Sequence, residues 1–245
     1  MEQLSTGNRV GDPSSGAADF AIAEHLRGQI RGQKSARMNA ENATSFMQVA
    51  EGGLSEQTNI LIRMRELAVQ SASDTFSDTE RGMLDQEFQQ LGQELDRIAK
   101  STRFGSTNLL AGGSNNFEFQ IGTNASDVIK FTSDADTTAG NLDIDGQTVS
   151  DKSDARSAIE SLDSALTAVA SNRARFGAAM SRLEYTAANS EVMSENLEAA
   201  RSRIADTDIA EASSEMFKQQ ALSQYQVAVM AQANQFPASV LRLIA

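Results

Sequence analysis

The chain has 245 residues, of which 40% are hydrophobic and only 5% aromatic, and its net charge is -12. A chain this acidic repels phosphate backbones, which argues against nucleic-acid binding. Cysteine is absent, so disulfides and thiolate metal sites are excluded. The sequence has no run of 18 apolar residues for a membrane span, and its N-terminus lacks the apolar core of a cleavable secretory signal. The protein is therefore expected either to be cytoplasmic or to leave the cell without such a signal.

The N-terminal part of the chain has the pattern of helices joined by short polar segments. Residues 1–16 are rich in Gly, Ser, Asp and Pro, which predicts a loop. Apolar residues at helical spacing then predict a long amphipathic helix, which Gly52 and Gly53 are expected to loosen. Ser77 begins a segment rich in hydroxyl and carboxylate groups that predicts the start of a second helix. The polar, glycine-containing segment 102–113 is expected to end that helix.

The pattern changes from helical spacing to alternation after this segment. Residues 116–121 alternate between apolar and polar, which is typical of a half-buried strand, and residues 127–131 predict a second strand. Residues 122–125 are suited to the turn between them. Residues 141–146 suggest a further short strand and turn. The middle of the chain is therefore predicted to be a small β element between helical segments.

A long heptad pattern follows and runs from about residue 154 to residue 206. It contains no proline and only one glycine, and a helix of that span is about 75 Å long. The apolar residues of its alternating 3,4 series are Ile159, Leu162, Leu166, Val169, Phe176, Met180, Leu183, Ala187, Leu197 and Ile204. Such a helix is too long for a compact domain and is typical of a coiled coil or a fibre subunit. The pattern predicts a function in assembly rather than in chemistry.

A last helix is expected after residues 206–208, which can act as a cap and hinge. Its apolar stripe consists of Leu222, Tyr225, Val229, Ala233, Phe236 and Val240. The sequence offers no matching partner for this stripe within the chain. An amphipathic helix without a partner indicates packing between molecules.

Candidate residues for chemistry are few. His25 is the only histidine, and a lone histidine without cysteine cannot build a typical zinc site or a nucleophile–base triad. Asp143 and Asp145 resemble the start of a calcium loop, but the later glutamate of that loop does not follow, and a β-turn explains them better. We therefore predict no enzymatic activity, no metal and no cofactor.

Five segments resemble bacterial flagellin, and they occur in the family's order. Residues 62–70 (IRMRELAVQ) are similar to the signature of the family's first long helix, and residues 196–208 (NLEAARSRIADTD) to its C-terminal signature. Residues 229–237 (VMAQANQFP), 4–10 (LSTGNRV) and 117–122 (FEFQIG) match as well. The resemblance covers essentially the whole chain, and the number of matching segments makes it specific.

The resemblance implies a mainly α fold: a long antiparallel helical rod with a small β-hairpin region and a C-terminal helix that forms coiled coils. It divides the chain into a connector to the inner domain (1–16), N-terminal helices of the rod domain (17–111), a short β-hairpin region in place of the variable domain (112–150), the C-terminal long helix of the rod domain (151–206) and an inner-tube helix (207–245). The family's N-terminal inner helix is expected to be missing. Such a chain resembles a minimal flagellin.

The function implied by the resemblance is polymerisation into the flagellar filament for swimming motility. In the family, the filament lies outside the cell, and its subunits pass through a type III export apparatus with an export chaperone. The expected partners are therefore further copies of the chain in the homopolymer, the export apparatus with its chaperone, and the junction and cap proteins. The heptad series from Ile159 to Ile204 is then expected to pack helices within and between subunits. The stripe from Leu222 to Val240 is expected to pack in the inner tube.

A host partner is also implied by the resemblance. Arg63, Leu67 and Glu94 match positions through which flagellins contact the flagellin-sensing Toll-like receptor. A purely structural role is the alternative for these residues, with Leu67 in the core and Arg63 and Glu94 pairing or packing between subunits.

Two other functions remain open at this point. A hook–filament junction protein shares the terminal-helix architecture, although residues 62–70 favour flagellin. A soluble helical adaptor or signalling rod would explain the heptads, but not the β segment or the unpartnered C-terminal stripe.

Overall fold

The computed structural model of the chain describes residues 2–13, 16–113 and 115–244, and for residues 2, 3, 115 and 234–244 it describes the backbone only. Two compact units are present. One consists of residues 32–193, and the other combines residues 1–31 with residues 194–245. The elements in chain order are α1 (Glu2–Thr6), α2 (Ala17–Ser71), α3 (Asp78–Ser101), β1 (Arg103–Phe104), β2 (Thr107–Asn108), β3 (Asn115–Gln120), β4 (Val128–Ser133), α4 (Lys152–Ala205) and α5 (Ile209–Ile244).

The unit of residues 32–193 is built on α2 and α4, which run antiparallel within it. Ion pairs join the start of the α2 segment to the end of the α4 segment, as between Arg37 and Glu191, and the turn after α2 to the start of α4, as between Asp74 and Lys152. Apolar residues of both helices, of α3 and of the β region form one buried cluster. The mainly α fold class with small antiparallel strand pairs is confirmed.

The α3 helix begins where the sequence predicts. The backbone N–H of Glu80 donates to the Ser77 hydroxyl at 3.4 Å, and the Ser77 N–H donates to the Glu80 carboxylate at 2.8 Å. This reciprocal pair is a capping box, which satisfies two backbone donors that the helix leaves free. The apolar face of α3, including Phe88 and Leu95, is buried in the core of the unit.

The β region contains two antiparallel hairpins rather than one. The β3–β4 hairpin pairs Phe117 with Phe131 and Phe119 with Ile129, close to the predicted strand bounds. The β1–β2 hairpin lies at residues 103–108. These residues fall in the segment 17–111 that the sequence predicts to be helical, within the polar stretch 102–113 that is expected to end the second helix. The hairpin's Phe104 ring packs edge-on against Phe46 of α2 at 5.5 Å, so aromatic contact holds this short hairpin on the helix.

Three local predictions from the sequence are wrong. The predicted strand at 141–146 is a series of turns, because Asp143 and Gly146 both adopt positive φ angles of 58° and 78°. The loop predicted at residues 1–16 contains the short helix α1. The Gly52-Gly53 pair does not interrupt α2: a Cβ atom at Gly53 would lie 2.6 Å from Thr102 Oγ1 and 2.8 Å from Leu110 Cδ1, so this glycine allows a close approach.

The unit of residues 1–31 and 194–245 contains a short paired segment where α4 gives way to α5. The N–H of Arg9 donates to the Ala205 carbonyl at 2.7 Å, and the N–H of Thr207 donates to the Gly7 carbonyl at 2.9 Å. The Asp208 carboxylate accepts hydrogen bonds from Ala210 N–H and Glu211 N–H, which caps the start of α5 as the sequence predicts.

Candidate assembly surfaces

The heptad series of α4 faces the interior of its own chain over much of its length. Leu162, Val169, Phe176 and Leu183 are fully buried in the core of the unit 32–193. Ile159, Leu166, Met180 and Ala187 are half-buried and pack against that core, while Leu197 and Ile204 are half-buried in the other unit. These residues between 159 and 187 therefore do not form an open surface for a neighbouring molecule.

Ion pairs run alongside this apolar contact and join α2, and Asp74 in the turn after it, to α4. Their α2 residues Arg37, Glu51 and Arg65 are spaced 14 residues apart, which is two heptads and returns to the same face of the helix. We call the four pairs the ion-pair ladder. They are Arg37–Glu191 at 2.8 Å, Glu51–Arg173 at 2.6 Å, Arg65–Asp163 at 2.6 Å and Asp74–Lys152 at 2.6 Å.

Hydrogen bonds in the ladder stabilise the ionised forms of Asp163, Asp74 and Arg173. The hydrogen bond from Arg65 holds the pKa of Asp163 below its ordinary value, and the hydrogen bond from Lys152 does the same for Asp74. The pKa of Arg173 is raised, mainly by its hydrogen bond to Glu51. The ladder could have been anticipated in part, because Arg173 occupies a position of the α4 apolar series. Its partner Glu51 could not be predicted from the sequence, because the residue that lies opposite Arg173 depends on the antiparallel register of α2 and α4.

The α5 helix presents apolar side chains to solvent on several sides. Leu222, Tyr225 and Val229 of the predicted stripe are exposed, and the side chains of Phe236 and Val240 lie outside the described part of the chain. Further exposed apolar residues are Ile209, Phe217, Val227 and Met230. At 100° per residue these positions point in almost every direction around the helix. A helix with large apolar side chains on most of its sides is typical of the interior of a larger structure.

An arginine that the sequence did not single out holds the junction between α4 and α5. Arg9 Nη2 donates to the carbonyl of Ile204 at 2.7 Å, which satisfies an acceptor at the C-terminal end of α4. The same nitrogen lies 3.0 Å from the carboxylate of Asp19. Together with the backbone pairing at Arg9 and Thr207, these bonds position the start of α5.

The three residues matched to a receptor contact do not bond to one another. Arg63 forms ion pairs with Glu87 at 2.8 Å and Glu66 at 3.1 Å, and Glu94 pairs with Arg97 at 2.6 Å. Leu67 is only 1% exposed. Arg63 and Glu94 thus lie at the surface of α2 and α3, while Leu67 belongs to the core.

Other candidate chemistry is sparse in the described part of the chain. His25 is an exposed residue of α2. The described residues contain no cluster of three histidine or carboxylate side chains suited to a metal ion. Among the same residues, no helix has the length and apolar content needed to cross a membrane.

Comparison with known families gives matches at both ends of the chain. Residues 1–115 match the bacterial flagellin N-terminal helical region, and residues 159–244 match the bacterial flagellin C-terminal helical region. A flagellin of Halalkalibacterium halodurans is 40% identical over 245 residues, which covers 100% of this chain and 90% of that protein. The flagellar filament 33 kDa core protein of Treponema phagedenis is 40% identical over 262 residues, with 100% and 91% covered.

Solved structures show the same likeness. The crystal structure of Bacillus cereus flagellin is 29% identical with a TM-score of 0.57, over 62% of this chain and 88% of that one. A structure described as a flagellar hook-associated protein of Vibrio parahaemolyticus has a TM-score of 0.63 over 80% of this chain and 99% of that one, but its identity of 11% shows a shared fold alone. Nothing in these likenesses favours a junction protein or a soluble adaptor over flagellin. The chain therefore belongs to the bacterial flagellin family and is a structural subunit of the flagellar filament.

Proposed function

We propose that each copy enters the filament by burying α5 among the α5 helices of neighbouring copies, so that the stripe Leu222, Tyr225, Val229, Phe236 and Val240 lies in an inner tube. The observation that supports this most strongly is the exposure of large apolar side chains on several sides of α5 from Ile209 to Met230. Burial of apolar area stabilises an assembly by about 25 cal/mol per Å². A helix exposed in this way does not have this stabilisation in the monomer and gains it when the polymer buries the helix.

The α4 heptad series has a supporting role in this proposal. Its buried members between Leu162 and Leu183 make the subunit stiff, because they fix α4 against α2. Leu197 and Ile204 continue the series in the unit that contains α5, and we propose that they extend the packing between subunits there.

The wider partners are proposed from the family resemblance. The subunit leaves the cell through the flagellar export apparatus with the help of an export chaperone, and meets junction and cap proteins at the filament ends. The mature filament lies outside the cell. The absence of cysteine suits this route, because an unfolded chain without thiols cannot form wrong disulfides on leaving the cytoplasm. The proposed role is structural, with no catalytic step.

A host receptor is a second proposed partner. Arg63 and Glu94 have half-exposed side chains on α2 and α3, so a monomer can offer both to a protein that recognises charge. Leu67 would act only by positioning α2, because its side chain is buried.

The α5 proposal is tested with the substitution Val229→Asp, because Val229 is exposed on α5. The purified chain is placed in polymerising salt, and filaments are scored by sedimentation and electron microscopy. We expect Val229→Asp to abolish sedimenting polymer, since assembly would bury an unpaired carboxylate. The matched control is Val229→Thr, which keeps the shape and adds no charge, and which should still polymerise. Equal polymer from Val229→Asp and the parent chain would refute the role of α5.

A further inference from the structure

A cleft of about 650 Å³ lies between the turn that joins β3 to β4 and the part of α4 from Arg182 to Met193. Gln33 of α2 also lines it, and all of its residues belong to the unit of residues 32–193. They are separate from the ion-pair ladder and from α5. The volume is within the range of clefts that bind small molecules, so the cleft is a candidate site that assembly does not explain.

Two polar side chains of the cleft are buried but lack a hydrogen-bond partner. Gln33 is 6% exposed and Ser190 is 2% exposed. Within the described part of the chain, neither side chain forms a hydrogen bond. None of their polar atoms is fully enclosed, so the Gln33 amide and the Ser190 hydroxyl open into the cleft that they line. Buried polar groups normally have partners, and a ligand in the cleft would supply the missing ones.

The β3–β4 turn forms a wall of the cleft whose shape is fixed by its own hydrogen bonds. The N–H of Ile121 donates to the Asp127 carbonyl at 2.9 Å, and the Asp127 carboxylate accepts from the N–H and the side-chain amide of Asn124 at 3.1 and 2.9 Å. The side-chain amide of Gln120 donates to the Asn124 carbonyl at 2.6 Å. The side chain of Asn39 donates to the Gln120 carbonyl at 3.0 Å, which ties the turn to α2. The wall is therefore ordered before a ligand arrives, which lowers the entropy cost of binding.

The α4 side of the cleft adds an aromatic ring, an amide and a cation. Arg182, Tyr185 and Asn189 follow one another at spacings of three and four, so they lie on one face of α4. Tyr185 is 79% exposed, which leaves its ring open to a ligand. Of the described residues that line the cleft, only Arg182 and Asp127 are charged, and their charges cancel. The cleft therefore suits a neutral ligand better than a phosphate or a metal ion.

We propose that this cleft binds a neutral saccharide, a function that goes beyond filament assembly and does not depend on it. A sugar hydroxyl both donates and accepts, and so do the amides of Gln33 and Asn189 and the hydroxyl of Ser190. The exposed ring of Tyr185 offers an apolar face to the C–H groups of a sugar ring. A peptide that docks through apolar side chains would leave Gln33 and Ser190 without partners, so the polar lining favours the saccharide.

The aromatic content of the chain allows a direct binding test by fluorescence. The chain has no tryptophan and only two tyrosines, Tyr185 and Tyr225, so the emission of a Tyr225→Phe variant reports on Tyr185. The full-length monomer of this variant is titrated with three neutral trisaccharides: maltotriose, cellotriose and triacetylchitotriose. At least one of them should change the Tyr185 emission in a saturable way. Triglycine, which has amides but no hydroxyl groups, and inorganic phosphate should not.

Substitutions in the same background locate the binding. Ser190→Ala, Gln33→Met and Asn189→Ala should each raise the dissociation constant about fivefold or more, because each removes a hydrogen bond to the sugar. Asn189 is exposed, so its substitution tests the site without disturbing the core. The matched control is Ser181→Ala, at an exposed serine of α4 outside the cleft, which should leave the affinity unchanged.

Three results would overturn the proposal. The absence of a saturable response to all three trisaccharides would show that only water fills the cleft. A response that all three cleft substitutions leave unchanged would place the binding elsewhere on the chain. An equal response to triglycine would identify a peptide site instead of a saccharide site.

Discussion

Arg173 of α4 holds Glu51 of α2 with two nitrogens: Nη2 lies 2.6 Å from Glu51 Oε1, and Nε lies 3.1 Å from the same oxygen. The two side chains are 36% and 28% exposed, which makes them the least exposed pair of the ion-pair ladder. Arg173 also occupies a position of the α4 series that is otherwise mainly apolar. The pair therefore favours this alignment of α2 and α4, because a shift of one heptad would place Thr44 or Thr58 instead of a glutamate opposite this arginine.

The Glu51–Arg173 pair is expected to couple energetically. We predict that Glu51→Gln lowers the free energy of unfolding by about 1 kcal/mol, since the pair is only partly shielded from water. Denaturant unfolding of Glu51→Gln, Arg173→Gln and the double variant gives the coupling energy from a double-mutant cycle. Fully additive effects would show that the two residues contribute separately and that the pair does not set the register.

Acid is expected to weaken the unit of residues 32–193 through the ladder carboxylates. The pKa values of Asp163 and Asp74 are lowered in the folded chain, so their stabilising contribution is present above the ordinary aspartate pKa of about 3.9 and is lost as the pH falls through their folded values. The free energy of unfolding, measured from about pH 6 down to about pH 3, should fall. In Asp163→Asn this fall should be smaller. The control Glu160→Gln removes an exposed α4 carboxylate outside the ladder and should leave the slope unchanged.

Gln57 is a buried polar residue that joins three segments. Its Nε2 donates to the carbonyls of Leu95 and Thr137 at 3.2 and 3.1 Å, which ties α2 to α3 and to the segment after β4. We predict that Gln57→Ala lowers the free energy of unfolding by about 2 kcal/mol, because two buried carbonyls lose their donors and a cavity opens. Thermal or urea unfolding measures this change. Gln90→Ala, on the exposed face of α3, is the control, and an effect as small as that of the control would contradict the bridging role.

The receptor proposal predicts a loss of signalling without a loss of folding. Arg63→Ala should reduce activation of the flagellin-sensing Toll-like receptor by the monomer, because the guanidinium is half-exposed on α2. The circular dichroism spectrum and the unfolding midpoint should stay close to those of the parent chain, since a solvent-exposed ion pair contributes little to stability. Arg156→Ala, an exposed arginine of α4, serves as the control. Unchanged signalling by a folded Arg63→Ala monomer would end the proposal.

The sequence was sufficient for the elements whose signal is local. The capping box at Ser77 and Glu80 depends on two residues three apart, and the β3–β4 hairpin on alternation within a few residues. Other features depend on distant parts of the chain. The close approach at Gly53 is visible only once Thr102 and Leu110 lie beside α2, and the partner of Arg173 is visible only once the antiparallel register is known.

The segment 141–146 shows how a correct pattern can be misinterpreted. Leu142 and Ile144 are buried, as alternation predicts, but no strand forms. Instead the Asn141 side chain donates to the Asp136 carbonyl at 2.7 Å, and the Ile144 N–H donates to the Ala139 carbonyl at 2.9 Å. Leu142 and Ile144 are buried because a turn folds over the core. Local side-chain and backbone hydrogen bonds form in this turn instead of the hydrogen bonds that would pair a strand with a neighbour.

The central claim is that α5 is exposed in the monomer and buried in the filament. Hydrogen exchange of residues 217–230, followed by mass spectrometry in monomer and in filament, tests it most directly. We expect exchange in the filament to be slower by about 100-fold or more, because packing around the whole helix suppresses its local opening. The buried part of α4 from Leu162 to Leu183 should change far less, since the monomer already protects it. Equal exchange of residues 217–230 in monomer and filament would contradict the account.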